Sequence, residues 1–315
     1  MTYVLALSDL HVGSRFGIFP PGFVGTSGAE VRLNGGQQYL LECWEKMLAV
    51  LPQNIDLLLL VGDIIDGQNL KQYSRFLCEV DPHAQARAAA RLLQPLLERS
   101  GEVILIRGSS YHVGSAAEWE EFLGEVIQAR QSQDGRRTLP WLLCEVDGVL
   151  LDVAHRQSYS MRSRGWPLER EIGFALERMD RVPGAYCIIR GHTHNFHLLD
   201  TGDQIAVSLP SWKLQDEFAQ TTISPNRTIP KHIGAVGLEI SGGRINAHKY
   251  LFRHPEPTVI SIAGGGAGGD SGSASARGQR RADDEGNRPT PGRVGDDGPA
   301  TRARTRRKRQ DHASP

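Results

Sequence analysis

The sequence predicts an α/β fold in which a mixed β-sheet, or a pair of sheets, is flanked by helices. Short apolar runs alternate with helical spacing through the first half, and runs paired around tight turns dominate the second. Each polar motif also falls at the end of an apolar run, and ligand sites in such folds gather at strand ends.

In chain order, residues 3–7 are a short apolar run, a strand that ends in Ser8-Asp9-Leu10-His11. Residues 12–36 are rich in Gly and Pro and read as a long loop. Residues 37–51 have helical spacing, with Tyr39, Leu40, Trp44, Met47 and Leu48 on one side. Residues 55–61 are almost continuously apolar, as in a strand covered on both faces, and lead into Gly62-Asp63-Ile64-Ile65-Asp66-Gly67. Asp81-Pro82 opens a helix to about Arg99, with Asp as N-cap and Pro at the first position. A strand over 102–106 ends in Arg107-Gly108-Ser109-Ser110-Tyr111-His112, and a helix spans 116–129. Strands over 141–146 and 149–153 flank Asp147-Gly148, a two-residue hairpin signal, and the second runs into Ala154-His155-Arg156. A helix over 167–179 precedes a strand at 186–189, which ends in Arg190-Gly191-His192-Thr193-His194. Strands at 196–199, 205–209, 236–240 and 244–252 follow. Trp44, Trp119, Trp141, Trp166 and Trp212 read as core.

The formal neutrality of the 315 residues averages two unlike parts. Residues 264–315 hold 11 Lys+Arg against 7 Asp+Glu, which leaves 25 against 29 for the rest. An acidic body, net −4, argues against a broad DNA-binding surface. The body is expected over residues 1–262. From 263 to 315 the chain is Gly, Ser, Ala, Asp and Arg with little to bury, so a disordered tail with a basic end is expected. No apolar run approaches the roughly 20 residues of a membrane span, so no membrane partner is expected. No signal peptide precedes residue 3, and the four cysteines form no close pair, so reduced thiols in the cytoplasm are expected.

Asp9, His11, Asp63, His155, His192 and His194 all sit at strand ends. Carboxylates and imidazoles suit Mn²⁺, Fe or Zn²⁺, and the absence of Cys from the set argues against a structural zinc. Six candidate ligands exceed what one open ion needs and suit two ions about 3.5–4 Å apart.

In order and spacing, Asp9-x-His11, Gly62-Asp63-x-x-Asp66, His155 and Gly191-His192-Thr193-His194 resemble the calcineurin-like metallophosphoesterases, over roughly residues 3–250. The resemblance implies a two-sheet mixed β-sandwich with helices outside. It gives one metal to Asp9, His11, Asp63 and His194 and the other to Asp63, His155 and His192. Asp63 would bridge, and Asp66 would orient a ligand from behind. One motif departs: Ser109 and Ser110 stand where the family has Asn, a metal ligand, and His, the proton donor. Ser109 is then a weak or water-mediated ligand, and His112 takes the donor role. The Gly-x-x-x-His variant is similar to phage and prophage members.

The resemblance implies a dinuclear phosphoesterase that hydrolyses a phosphomono- or phosphodiester by attack of a metal-bridging hydroxide. Mn²⁺ is the first choice of metal, with Fe, Zn²⁺ or Mg²⁺ as others. The alternatives are a metal-dependent DNA nuclease of the same fold and a catalytically impaired binding or scaffold member, which the Asn-to-Ser change favours. Arg107, Arg156, Arg162 and Arg164 lie near the motifs as phosphate clamps or plain surface charges. The run Arg302, Arg304, Arg306, Arg307, Lys308, Arg309 would tether a nucleic acid or merely be solvated.

Overall fold

The computed structural model describes residues 1–157, 166–178, 185–202, 204–216 and 232–255. The expected tail over 263–315, the boundary at 262, Arg162 and Arg164 lie outside these residues.

Two mixed sheets form the centre. The first holds β1 (Thr2–Leu7), β2 (Ile55–Val61), β3 (Ser100–Ile106), β4 (Thr138–Leu139), β10 (His232–Ser241) and β11 (Arg244–Arg253), in the order β11-β10-β1-β2-β3-β4. The second holds β5 (Leu142–Val146), β6 (Val149–Ala154), β7 (Ala185–Arg190), β8 (His197–Asp200) and β9 (Gln204–Ser208), in the order β5-β6-β7-β9-β8. Strands β1 to β4 run parallel, as do β6, β7 and β9. Antiparallel strands complete both sheets, β10 and β11 in the first and β5 and β8 in the second.

Strand alternation sorts the core into layers. Val4, Ala6, Leu57, Leu59, Val61, Ile104 and Ile106 pack against Val149, Leu151, Val153, Cys187, Ile189 and Val207 of the second sheet. Leu5, Leu7, Leu58, Leu60 and Leu105 face the other way, onto α1 (Gly35–Val50), α2 (Pro82–Leu97) and α4 (Glu118–Val126). On the far side, α5 (Trp166–Arg178) lays Leu168, Ile172 and Ala175 on Tyr186, Ile188 and Ala206. The four consecutive leucines 57–60 are good helix formers, yet they lie in a strand. Both faces of that strand are covered, and full burial of each leucine is worth roughly 1.5–3 kcal/mol, more than propensity offers.

Local signals behave as their chemistry requires. Asp81 accepts the His83 amide at 3.0 Å and Pro82 opens α2. Asn34 and Gln37 close a capping box that starts α1 two residues before the spacing predicts. Asp147 and Gly148 both have positive φ, 46° and 80°, as a type I′ hairpin needs. The short helix α3 (Ser110–Val113) and strand β4 carry too few residues to show a period. Trp44 and Trp212 are buried edge to face, whereas Trp141 is 44% exposed. Trp141 precedes an edge strand, so its indole donates to Asp152 at 2.9 Å while Arg178 covers its ring. Among the described residues no helix is long and apolar enough to cross a membrane.

Candidate metal centre

Parallel strands end on the same side, so the motifs after β1, β2 and β3 meet those after β6 and β7. Backbone bonds hold the loops at fixed spacing. The amides of Asp9 and His11 donate to the carbonyls of Gly62 and Asp63, both at 3.0 Å, and Gly191 donates to His155 at 3.0 Å. Glycine is needed at two of these joints. A Cβ on Gly62 would lie 2.7 Å from the His155 ring and the Gly108 Cα, and one on Gly191 would lie 2.1 Å from Ser8 Oγ.

Asp9, His11, Asp63, His192 and His194 all adopt positive φ, at 54°, 49°, 51°, 71° and 58°. Each such residue costs on the order of 1–2 kcal/mol. This left-handed backbone ends the strand alternation and turns the side chains inward.

The six candidate ligands gather in two groups. In the first, His11 Nε2 lies 3.1 Å from His194 Nε2, and Asp9 Oδ1 lies 3.7 and 3.3 Å from these two nitrogens. In the second, His155 Nε2 lies 3.0 Å from Asp63 Oδ2 and 3.3 Å from His192 Nδ1. Asp9 links the two, because its Oδ2 accepts from Ser8 Oγ at 2.5 Å and from the His192 amide at 2.9 Å. Its Oδ1 is buried, with no hydrogen-bond donor among the described residues. A buried carboxylate oxygen beside converging imidazole nitrogens is an environment that a divalent cation satisfies.

The charges agree. Burial disfavours a charged His155, yet the carboxylates of Asp63 and Asp9 outweigh it and push the imidazole up to about 10. Burial likewise raises Asp9 and Asp63, but the surrounding imidazoles hold both well below the ordinary carboxylate range. The two buried carboxylates therefore stay ionised and draw positive charge to the pocket.

A further layer aims the ligands. His11 Nδ1 donates to Asp66 Oδ1 and His155 Nδ1 to the Val61 carbonyl, both at 2.8 Å, so each ring turns its Nε2 toward the pocket. Asp66 also takes Asn69 Nδ2 at 3.1 Å and the Lys213 ammonium at 3.4 Å. His11, Asp66 and His112 thus form a third cluster of ligand types. Buried Lys213, shared with Asp216 at 3.3 Å, already balances it, so we read it as a support.

His112 Nδ1 donates to the Asp66 carbonyl at 2.8 Å, and its ring stands edge-on to His11 at 4.5 Å. Burial first, then the neighbouring His11, lowers it to about 4. Ser109 directs its amide and hydroxyl to Asp63, at 2.7 Å to Oδ1 and 3.0 Å to Oδ2. Glu120 of α4 accepts the amides of Ile64 at 3.0 Å and Gly108 at 2.7 Å. It thereby ties the Asp63 loop to the Ser109 loop. Burial, and then the charge of Asp63, pushes Glu120 up to about 7. Arg107 donates to the Ser115 carbonyl at 2.7 Å, and Arg156 is exposed.

Sequence reasoning missed Ser8, Glu120 and Lys213. Glu120 did leave a signal, since it shares the buried side of α4 with Leu123 and Gly124, where an apolar residue belongs. Lys213 left none.

A family model described as calcineurin-like phosphoesterase matches residues 2–196. No curated protein matches the chain significantly. Among solved structures, YfcE, a phosphoesterase from E. coli, is 15% identical, with 81% of this chain and 100% of that one covered and a TM-score of 0.38. Wild-type Vps29 from Entamoeba histolytica, complexed with zinc, is 13% identical over 81% and 100%, with a TM-score of 0.38. An archaeal phosphodiesterase is 10% identical over 80% and 100%, with a TM-score of 0.37.

Proposed function

This chain belongs to the calcineurin-like phosphoesterase family, and on that premise we propose that it is a dinuclear, metal-dependent phosphoesterase. The observation that carries the reading is the pair of ligand groups, one holding the buried Asp9 Oδ1 to which no described residue donates, the other tied to Asp9 Oδ2 through the His192 amide. Asp9, His11 and His194 would hold one divalent cation, and His155 and His192 the other, with Asp63 shared between them. Mn²⁺ is the first choice, because the set is carboxylate and imidazole without thiolate. Bound there, the cations would supply Lewis acidity toward phosphate oxygens and bring the pKa of water toward neutral.

The chain's own residues do the rest. Ser8 and the His192 amide fix the Asp9 carboxylate, and Asp66 and the Val61 carbonyl fix the tautomers of His11 and His155. His112 stands beside His11, where it would give a proton to the leaving oxygen from Nε2. A phosphate's negative charge against that ring favours its protonated form, offsetting the lowering by burial.

Ser109 at the family's Asn position favours a second reading, an impaired binding member. One assay separates them. The purified protein should hydrolyse bis(4-nitrophenyl) phosphate with Mn²⁺ and stop when a chelator is added. Asp63→Asn should be nearly inactive, because both ions lose their shared charge. Undiminished turnover by metal-stripped protein or by this variant would sink the mechanism. No turnover with any divalent metal would favour the binding member.

A further inference from the structure

The loop that joins β2 to α2 and the loop that follows β1 both hold more bases than acids. Residues 67–78 contain Lys71 and Arg75 and no Asp or Glu, and residues 12–36 contain Arg15 and Arg32 against the single Glu30. Four cations face one carboxylate, in a body where acids outnumber bases. Arg15, Arg32, Lys71 and Arg75 are all exposed. So are two large apolar side chains, Leu70 at 68% and Tyr73 at 86%.

The two loops form one surface. The Arg15 amide donates to the Phe76 carbonyl at 2.7 Å, and Arg15 Nε to that of Leu77 at 3.2 Å. Phe16 meets Phe76 edge to face at 5.6 Å, and the Arg75 guanidinium lies 5.1 Å from the Phe76 ring. Arg15 and Arg32 line a cavity of about 390 Å³ with Glu30, Asn34 and Cys78.

The surface is also wired to the candidate metal centre. The Ser14 amide donates to the His11 carbonyl at 3.1 Å, which sets Arg15 close behind a candidate ligand. On the other side the Lys71 ammonium lies 5.3 Å from the Tyr111 ring. Tyr111 meets His112 at 4.8 Å, and His112 meets His11 at 4.5 Å. Lys71 is therefore two rings away from His11. Asn69 closes the arrangement, donating to Asp66 at 3.1 Å and accepting from Tyr111 Oη at 2.5 Å. Tyr73 is held outward with φ 53°, a conformation that is strained for an aromatic residue.

We propose that residues 12–36 and 67–78 form the substrate platform of this site, and that its substrate is single-stranded nucleic acid. The proposal rests on the phosphoesterase reading and names its substrate class. Exposed guanidinium and ammonium groups track a phosphate backbone, and an exposed aromatic face among them, here Tyr73, stacks a base, which is how single strands are gripped without sequence readout. A phosphomonoester or a small diester would use neither the aromatic residues nor four cations spread over two loops.

The test uses the full-length chain, whose tail charges are common to parent and variants. Binding of a fluorescein-labelled oligothymidylate is measured in EDTA across a range of salt. Arg15→Gln, Arg32→Gln, Lys71→Gln and Arg75→Gln combined should flatten the log–log salt dependence by about 2–3, at roughly 0.7 for each phosphate no longer neutralised. Tyr73→Ala, a single exposed change, should weaken binding about 5- to 100-fold and leave the salt slope as it was. With Mn²⁺, both variants should lose more than tenfold in kcat/KM on the oligonucleotide relative to bis(4-nitrophenyl) phosphate. Parental affinity and slope in both variants overturn the platform. So does a Tyr73→Ala variant that binds like the parent while inorganic polyphosphate competes as well as the oligonucleotide, since that describes a generic polyanion surface. The phosphoesterase reading fails separately, by absence of metal-dependent hydrolysis of the small ester in the parent.

Discussion

Replacing Glu120 with Gln should make the metal-free protein more stable at pH 8 than the parent while weakening its hold on metal. Glu120 is fully buried, and its carboxyl is pushed from 4.5 to about 7, by burial and then by the charge of Asp63. Between those two values the folded state keeps a proton that the unfolded chain has released, so stability falls as pH rises through the window. A difference of that size, at about 1.4 kcal/mol per tenfold in proton affinity, corresponds to roughly 3 kcal/mol by pH 8. Gln does not titrate. At pH 4.5 it resembles the protonated acid, and the variant should differ from the parent by no more than the ~0.5–1.5 kcal/mol of one neutral hydrogen bond. As pH rises toward 8 the variant should gain on the parent by up to about 3 kcal/mol. The site is weakened in exchange. Glu120 accepts two amides, from Ile64 and Gly108, and Gln turns an NH₂ toward one of them. The Asp63 and Ser109 loops should then part, and Mn²⁺ should bind more weakly. Urea unfolding of both proteins in EDTA at half-unit steps from pH 4.5 to 8, with Mn²⁺ titration calorimetry at pH 7.5, reads both effects. Parallel stability curves for parent and variant would refute the reasoning about Glu120.

His112→Ala should lower turnover by about 10²–10⁴, the range of a general acid, with metal content intact. The loss should shrink for good leaving groups, and an equal loss for all esters with metal lost as well would reassign His112 as a ligand. Asp152 is buried and accepts from Trp141, Tyr186 and Arg178 and pairs with Arg190, the residue before Gly191. Asp152→Ala should therefore cost about 3–5 kcal/mol in urea unfolding, since it leaves buried Arg190 with Glu171 as its remaining carboxylate partner. Burial raises the Asp152 carboxyl, but Arg190 and its other partners hold it below the ordinary range. The parent's share of that stability should be present above about pH 4 and fade as pH falls through the depressed value, and a variant equally stable at neutral pH would contradict the ion pairing. Truncation after Ile262 should leave hydrolysis of a small ester unchanged and reduce the salt-sensitive part of nucleic-acid binding. Equal binding by both forms would leave the six basic residues between Arg302 and Arg309 without that role.

Much of this molecule is local, and what is local was legible in the chain. Residues 55–61 read as a strand covered on both faces, and β2 has these bounds with a sheet on one side and helices on the other. The Asp81-Pro82 start and the Asp147-Gly148 turn follow from backbone chemistry that neighbours cannot easily override. The candidate ligands were picked out for a related reason, since each lies two to five residues past an apolar run. The tertiary structure decided what joins them. Which of His192 and His194 faces which group depends on left-handed φ at five positions, a strain that only packing can hold in place. Lys213 and Glu120 reach the site from elements distant in sequence, and no local pattern marks Lys213 because its partner Asp66 lies 147 residues away. Trp141 shows the same limit from the other side. Its size says core, yet its place beside an edge strand leaves it 44% exposed, because composition states what a side chain prefers and topology states what covers it.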